Sequence, residues 1–216
     1  MSYWDFHTHQ ADSSGAIFNA SLNQIPLKGF FSAGLHPWFL SNAWKEDFGH
    51  LEQLALSQNR LLAVGESGFD RLKGPELSMQ KEAFSAQAQL AKALDIPLIL
   101  HCVRGHDLLL AYLKSTKPLP QIIWHGWNLK PDLGRQLLEY PVYFSFGKHI
   151  LKPESNASQW LEECPSDRIF LETDDSGLEI SSVYRAASLI LRLPVEEVAK
   201  LTLTNWNRIS KRKINE

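Results

Sequence analysis

Eight short stretches of this chain are almost continuously apolar, and several end in a side chain able to bind a metal. They are 3–7 (YWDFH), 16–22 (AIFNASL), 29–35 (GFFSAGL), 61–66 (LLAVGE), 96–101 (IPLILH), 121–125 (QIIWH), 141–146 (PVYFSF) and 168–172 (RIFLE). Runs of this kind suit strands covered on both faces, as in a parallel sheet, better than the alternating strands of a sandwich. Helical patterns lie between most of them, at 44–58, 78–94, 105–116, 131–138, 155–162, 181–192 and 195–209. In 78–94, Phe84, Ala88, Ala91 and Leu94 recur at helical spacing, with Ser78 expected as the N-cap.

Repeated strand and helix predict an α/β chain folded as a TIM-like (β/α)8 barrel, with residues 1–216 as one domain. An open doubly wound sheet fits less well, because HTHQADSSG follows the first strand where a phosphate-binding glycine loop would stand. The barrel is expected to be distorted at the link 23–28 (NQIPLK), since a parallel crossover normally takes a dozen residues or more. Either the helix there is lost, or the second segment is not a full strand.

Six residues carry the chemistry. His7 and His9 alternate along the first strand and project to one side. Glu66, His101 and His125 each close an apolar strand, and Asp174 follows IFLET. A barrel gathers such strand ends at one mouth, where uncompensated imidazoles and carboxylates would be expensive to bury. A cation removes that cost. Four histidines and two carboxylates suit two divalent ions, zinc, manganese or iron more readily than magnesium, with Glu66 as the natural bridge. Asp174 is the expected general base, ligating with one oxygen and accepting a proton with the other.

His36 in GLHPW, Arg104 just past His101, and Trp127 after His125 are the expected substrate contacts. The bland alternative pairs Arg104 with an acid at a helix start and packs Trp127 into the rim. Asp70 is placed to orient a histidine, and Asp12, Glu172 and Asp175 are further acids near the mouth.

Charge and composition narrow the options. The net charge of -2 gives no excess of positive side chains to attract a polyanion, though bound metal would add local positive charge. Cys102 and Cys164 read as interior thiols. No apolar run approaches the roughly 20 residues of a membrane span, and the start YWDFHTH lacks a signal core. A cytoplasmic protein is expected, with no membrane association and no obligate protein partner. The basic KRK at 211–213 is expected to fray into solvent.

Taken together, DFHTH at 5–9, GLHP at 34–37, GESGFD at 65–70, LILHC at 98–102, WHG at 124–126, ETDD at 172–175 and NWNRI at 205–209 resemble the TatD-like metal-dependent hydrolases. This group, often called the TatD DNase family, lies within the amidohydrolase-type barrels. The resemblance implies a distorted barrel with a two-metal site at the six residues above, and magnesium- or manganese-supported hydrolysis of DNA phosphodiesters. Three departures fall on loops: a short link at 23–28, Val103 with Arg104 one step later where an arginine is usual, and no proline after the aspartate motif, where Asp175 and Ser176 follow Asp174. The leading expectation is a dimetal phosphodiesterase acting on DNA or a small phosphodiester. The alternatives are a hydrolase of small esters, amides or lactones, and a non-catalytic metal-binding barrel.

Overall fold

The computed structural model describes residues 3–11 and 14–215. One parallel sheet runs in the order β1 (Asp5–Thr8), β2 (Ala16–Ala20), β3 (Phe30–Ala33), β4 (Leu61–Asp70), β5 (Leu98–Val103), β6 (Ile122–Trp124), β7 (Val142–Phe146) and β8 (Ile169–Leu171). A parallel bridge between Thr8 and Asp174 then joins the last strand to the first and closes the barrel. The outer helices are α1 (Trp44–Ser57), α2 (Leu77–Leu94), α3 (His106–Ser115), α4 (Pro131–Arg135), α5 (Asn156–Glu163), α6 (Ile180–Leu191) and α7 (Val195–Ile209). No helix among the described residues is long and apolar enough to cross a membrane.

Strand parity explains how the barrel is filled. Ile17, Ile99, Ile123, Tyr143 and Phe170 belong to one buried cluster that Trp206, Ile209 and Ile214 complete from the C-terminal segment. Two residues further along the same strands stand Asn19, His101, His125, Ser145 and Glu172. Side chains two apart share a face, so an apolar layer lies beneath a polar one. The opposite parity, including Val64, Leu98, Leu100, Ile122, Phe144 and Leu171, packs against the helices.

Strand β4 breaks this parity usefully. Its register against β5 shifts between Val64 and Ser67. Gly65, at φ +141°, has room for no side chain, because a Cβ there would stand 2.6 Å from the Ile99 carbonyl oxygen. The shift lets Glu66, rather than residue 65, enter the polar layer.

The short link resolves in favour of a full strand and a lost helix. Ile17 to Ala20 pair in register with Phe30 to Ala33. The chain between them makes only an isolated bridge, Ser21 with Gln24. Arg60 pins this link instead, donating to the carbonyls of Pro26 and Gly29 at 3.0 Å.

Two local expectations are corrected. Helix α2 starts one residue early, at Leu77, with Glu76 at the N-cap, so Ser78 lies inside its first turn. The KRK segment docks instead of fraying. The Arg212 guanidinium donates to the carbonyls of Ala55 at 2.6 Å, Gln58 at 3.1 Å and Leu61, and its own carbonyl accepts from the Trp206 indole at 3.0 Å. Ile214 behind it is buried under the barrel. Arg212→Ala removes charged hydrogen bonds to three carbonyls and is expected to lower unfolding free energy by about 2–4 kcal/mol in chemical denaturation, without changing metal affinity.

Candidate metal centre

Glu66 is almost fully buried at the mouth of the barrel, and its two oxygens face different partners. Oε1 lies 3.5 Å from His7 Nε2 and 3.2 Å from His9 Nε2, and Asp174 Oδ1 lies 3.6 and 3.5 Å from the same two nitrogens. Oε2 lies 2.8 Å from His125 Nε2 and 3.3 Å from His101 Nδ1, and those two nitrogens are 3.4 Å apart. Ligands at roughly 2.1 Å around a tetrahedral ion stand about 3.4 Å from one another. Both sets therefore have the spacing of a coordination shell, and both nitrogens of His7 are buried without any hydrogen-bond partner. Such orphaned groups in a polar layer fit a cation. Ligand atoms in the groups His7, His9, Glu66 and His7, His125, Asp174 all fall within 4.8 Å of one another.

His36, Glu66 and His101 form a third such group, but the tautomer of His36 argues for a different role. Its Nδ1 accepts from the Trp38 backbone N–H at 3.1 Å. Nε2, 3.6 Å from Glu66 Oε2, therefore carries the proton in the neutral ring. Burial depresses the His36 pKa and keeps the ring neutral. The site thus receives an N–H donor from His36.

A surrounding shell holds these groups in place. Asp70 Oδ2 accepts from the Trp38 indole at 2.5 Å and meets His101 Nε2 at 3.2 Å, which turns His101 Nδ1 toward Glu66. Glu172 Oε1 accepts from the Gly126 N–H at 2.5 Å and lies 3.8 Å behind His125 Nδ1. Asn19 donates to Glu66 Oε1 at 2.7 Å. Asp5 receives the Thr173 N–H at 3.0 Å and the Thr173 hydroxyl at 2.6 Å, which ties β1 to the segment carrying Asp174. Burial lifts the Asp5 carboxyl to a pKa of about 6.

The electrostatics centre on Glu66. Burial disfavours its charge, but His125 and His7 outweigh that and hold its pKa well below the carboxylate range. Burial likewise opposes protonation of His7, yet Glu66 and Asp174 raise its pKa to about 9, and Glu66 drives His125 well above the usual value. Asp174 falls to about 2, the nearness of His7 and His125 overcoming its burial. Imidazolium cannot ligate, so a metal binding here must displace protons.

Two expected substrate contacts lie elsewhere. Gly126, at φ +61°, turns the chain straight after His125. Trp127 is thereby sent into the wall, fully buried with its ring centroid 4.9 Å from Trp124 and 4.7 Å from Phe144. Arg104, at φ +53°, is exposed and lines neither cavity at the mouth. The acid at the start of α3, Asp107, is taken by Arg71 through two 2.8 Å bonds. Lys148 pairs with Asp175 at the rim, 2.8 Å apart. Asp12 lies outside the described residues. Asn19 and Glu172 were open to detection by parity alone, each standing two residues after a core-facing Ile17 or Phe170.

Comparison with known proteins bears on the family and the fold. The family model described as TatD related DNase matches residues 8–211. A Bacillus subtilis protein named uncharacterized metal-dependent hydrolase YabD is 27% identical over 197 residues, covering 83% of this chain and 76% of the relative. The Erwinia tasmaniensis protein named 3'-5' ssDNA/RNA exonuclease TatD is 33% identical over 176 residues, covering 77% of this chain and 65% of the relative. In fold, the chain matches the crystal structure of the TatD homolog YjjV from Escherichia coli K12 with a TM-score of 0.78, at 24% identity, covering 90% and 85% of the two chains.

Because Asp70 fixes which nitrogen of His101 faces Glu66, Asp70→Asn is expected to weaken divalent-metal affinity about 10- to 100-fold in calorimetric titration. Unchanged affinity would show that His101 needs no such orientation.

Proposed function

The chain belongs to the TatD related DNase family, and we propose that this metal-dependent hydrolase cleaves phosphodiester bonds, in DNA or in a small phosphodiester, with two divalent ions (magnesium, manganese or zinc) as cofactors. The observation that carries the reading is the division of Glu66, with one oxygen in each of two ligand sets spaced as coordination shells. When bound, a metal pair acidifies water and neutralises charge on a phosphoryl group.

The roles of the side chains follow from their contacts. His7, His9 and Asp174 would hold one ion, His101 and His125 would hold the other, and Glu66 would serve both. Asp174 meets His7 and His9 through Oδ1, so Oδ2 takes the proton from the attacking water. His36 donates its Nε2 proton to the charge that develops on the phosphoryl oxygen. The Erwinia relative carries an exonuclease name, which favours nucleic acid within the phosphodiester class.

Metal analysis of protein reloaded with manganese, zinc or magnesium is expected to give two ions per chain, falling to one in His9→Ala and to none in Glu66→Ala. One ion in the parent protein would remove the bridging role.

Activity is tested on labelled single- and double-stranded DNA, a small phosphodiester and a lactone panel. Phosphodiester cleavage is expected, with kcat lowered about 10²- to 10⁴-fold in Asp174→Asn. Turnover of lactones alone, or none at all, would overturn the reading.

A further inference from the structure

Two cavities meet at the candidate metal centre and share His101, His125, Asp174 and Asp175. The larger, about 810 Å³, extends between the β2–β3 link and the start of α1. The smaller, about 200 Å³, lies on the side of β7 and β8. A volume of several hundred Å³ suits a ligand of drug or nucleotide size.

Their charge is unusual for a site expected to meet a polyanion. Among the described residues, Lys148 is the only lysine or arginine lining either cavity, and it is held by Asp175. Asp47 and Asp175 add negative charge to the larger cavity. A groove that tracks a strand of nucleic acid needs a row of cations along the phosphates. Of the cations on the β4 exit, Arg71 is paired with Asp107 and Lys73 lies over the Trp38 ring.

The larger cavity offers apolar surface instead. Leu22, Leu35, Phe39 and Leu40 line it, and Phe39 is 78% exposed. Trp38 is locked by its bond to Asp70 and by Lys73, whose ammonium sits 4.0 Å from the ring centroid. Phe39, 5.4 Å from His36 between ring centroids, therefore presents a π surface on a rigid support beside the reacting groups. Such a ring in water is apolar surface in search of a planar partner.

We infer that the site engages a single terminal unit of its substrate: one uncharged, planar group such as a nucleobase packs against Phe39 in the larger cavity, and one phosphodiester lies at the metal centre. Further nucleotides of a longer strand lie outside and contribute nothing to recognition. This rests on the phosphodiesterase reading and narrows its substrate class.

The test compares a dinucleotide, a hexanucleotide and a 20-nucleotide single strand, at equal concentrations of ends, with metal-loaded enzyme. The expected kcat/KM per end varies by less than about threefold, and its logarithm falls with log salt at a slope near -1, as for one or two phosphate contacts. A rise of tenfold or more with length, or a slope steeper than about -3, would overturn the inference while leaving phosphodiester hydrolysis intact. Failure to cleave at any length would reject the reading and the inference together.

Binding gives a second readout, independent of turnover. In calorimetry, Phe39→Ala is expected to weaken a nucleoside monophosphate about 5- to 100-fold while inorganic phosphate changes less than twofold. An equal loss for both ligands, or no loss for either, would remove the base from Phe39.

Discussion

A carboxylate buried at the mouth of a barrel dictates the arrangement around it. Moving the Glu66 charge out of water carries a penalty of several kcal/mol unless partners replace the lost hydration. Those partners come from most of the mouth: His7 and His9 on β1 and its exit, Asn19 on β2, His36 beyond β3, His101 on β5 and His125 beyond β6. No one strand supplies enough of them. The charge therefore couples the strand ends to one another, and the same set that stabilises an anion with protons can exchange those protons for metal.

The barrel is suited to this because its closure and its candidate site use the same residues, one through backbone and the other through side chains. Asp174 bridges to Thr8, its N–H bonds to the His7 carbonyl at 3.0 Å, and the His9 N–H bonds to the Asp174 carbonyl at 3.1 Å. The β1–β8 seam is thus formed by the backbone of three candidate ligands. Asp5 reinforces it from below through Thr173. Asp174 adopts φ +52°, a left-handed conformation that non-glycine residues visit rarely and at some energetic expense, here over-determined by the two seam bonds.

Strand ends were the most legible part of the sequence, because an apolar run followed by His or Glu survives any error of a residue or two in the strand boundary. All eight strands and seven helices appear within a few residues of their expected places. What stayed hidden depends on backbone turns. Trp127 reads as a substrate contact until Gly126 is known to be left-handed, and Arg104 reads as a phosphate contact until its own φ of +53° is known. The buttressing role of Arg212 was equally invisible, since carbonyls of Ala55, Gln58 and Leu61 carry no mark in the sequence. Asn19 is different: the segment 16–22 reads as a strand, and Asn19 stands at the mouth because it follows the core-facing Ile17 by two residues.

Conserving a ligand set does not conserve what approaches it. The ligands are fixed by strand parity and by a shared carboxylate, so a change at any one disturbs its neighbours through a common charge. The loops have no such coupling. The β2–β3 link has lost its helix and is held by Arg60, and the β5 exit directs Arg104 away while Arg71 occupies Asp107. With Lys148 the only lysine or arginine among the described residues that line the two cavities, bound metal would be the main source of positive charge at the mouth. Attraction then acts on the one group lying over Glu66, and discrimination between substrates falls to the shape and apolar lining of the larger cavity.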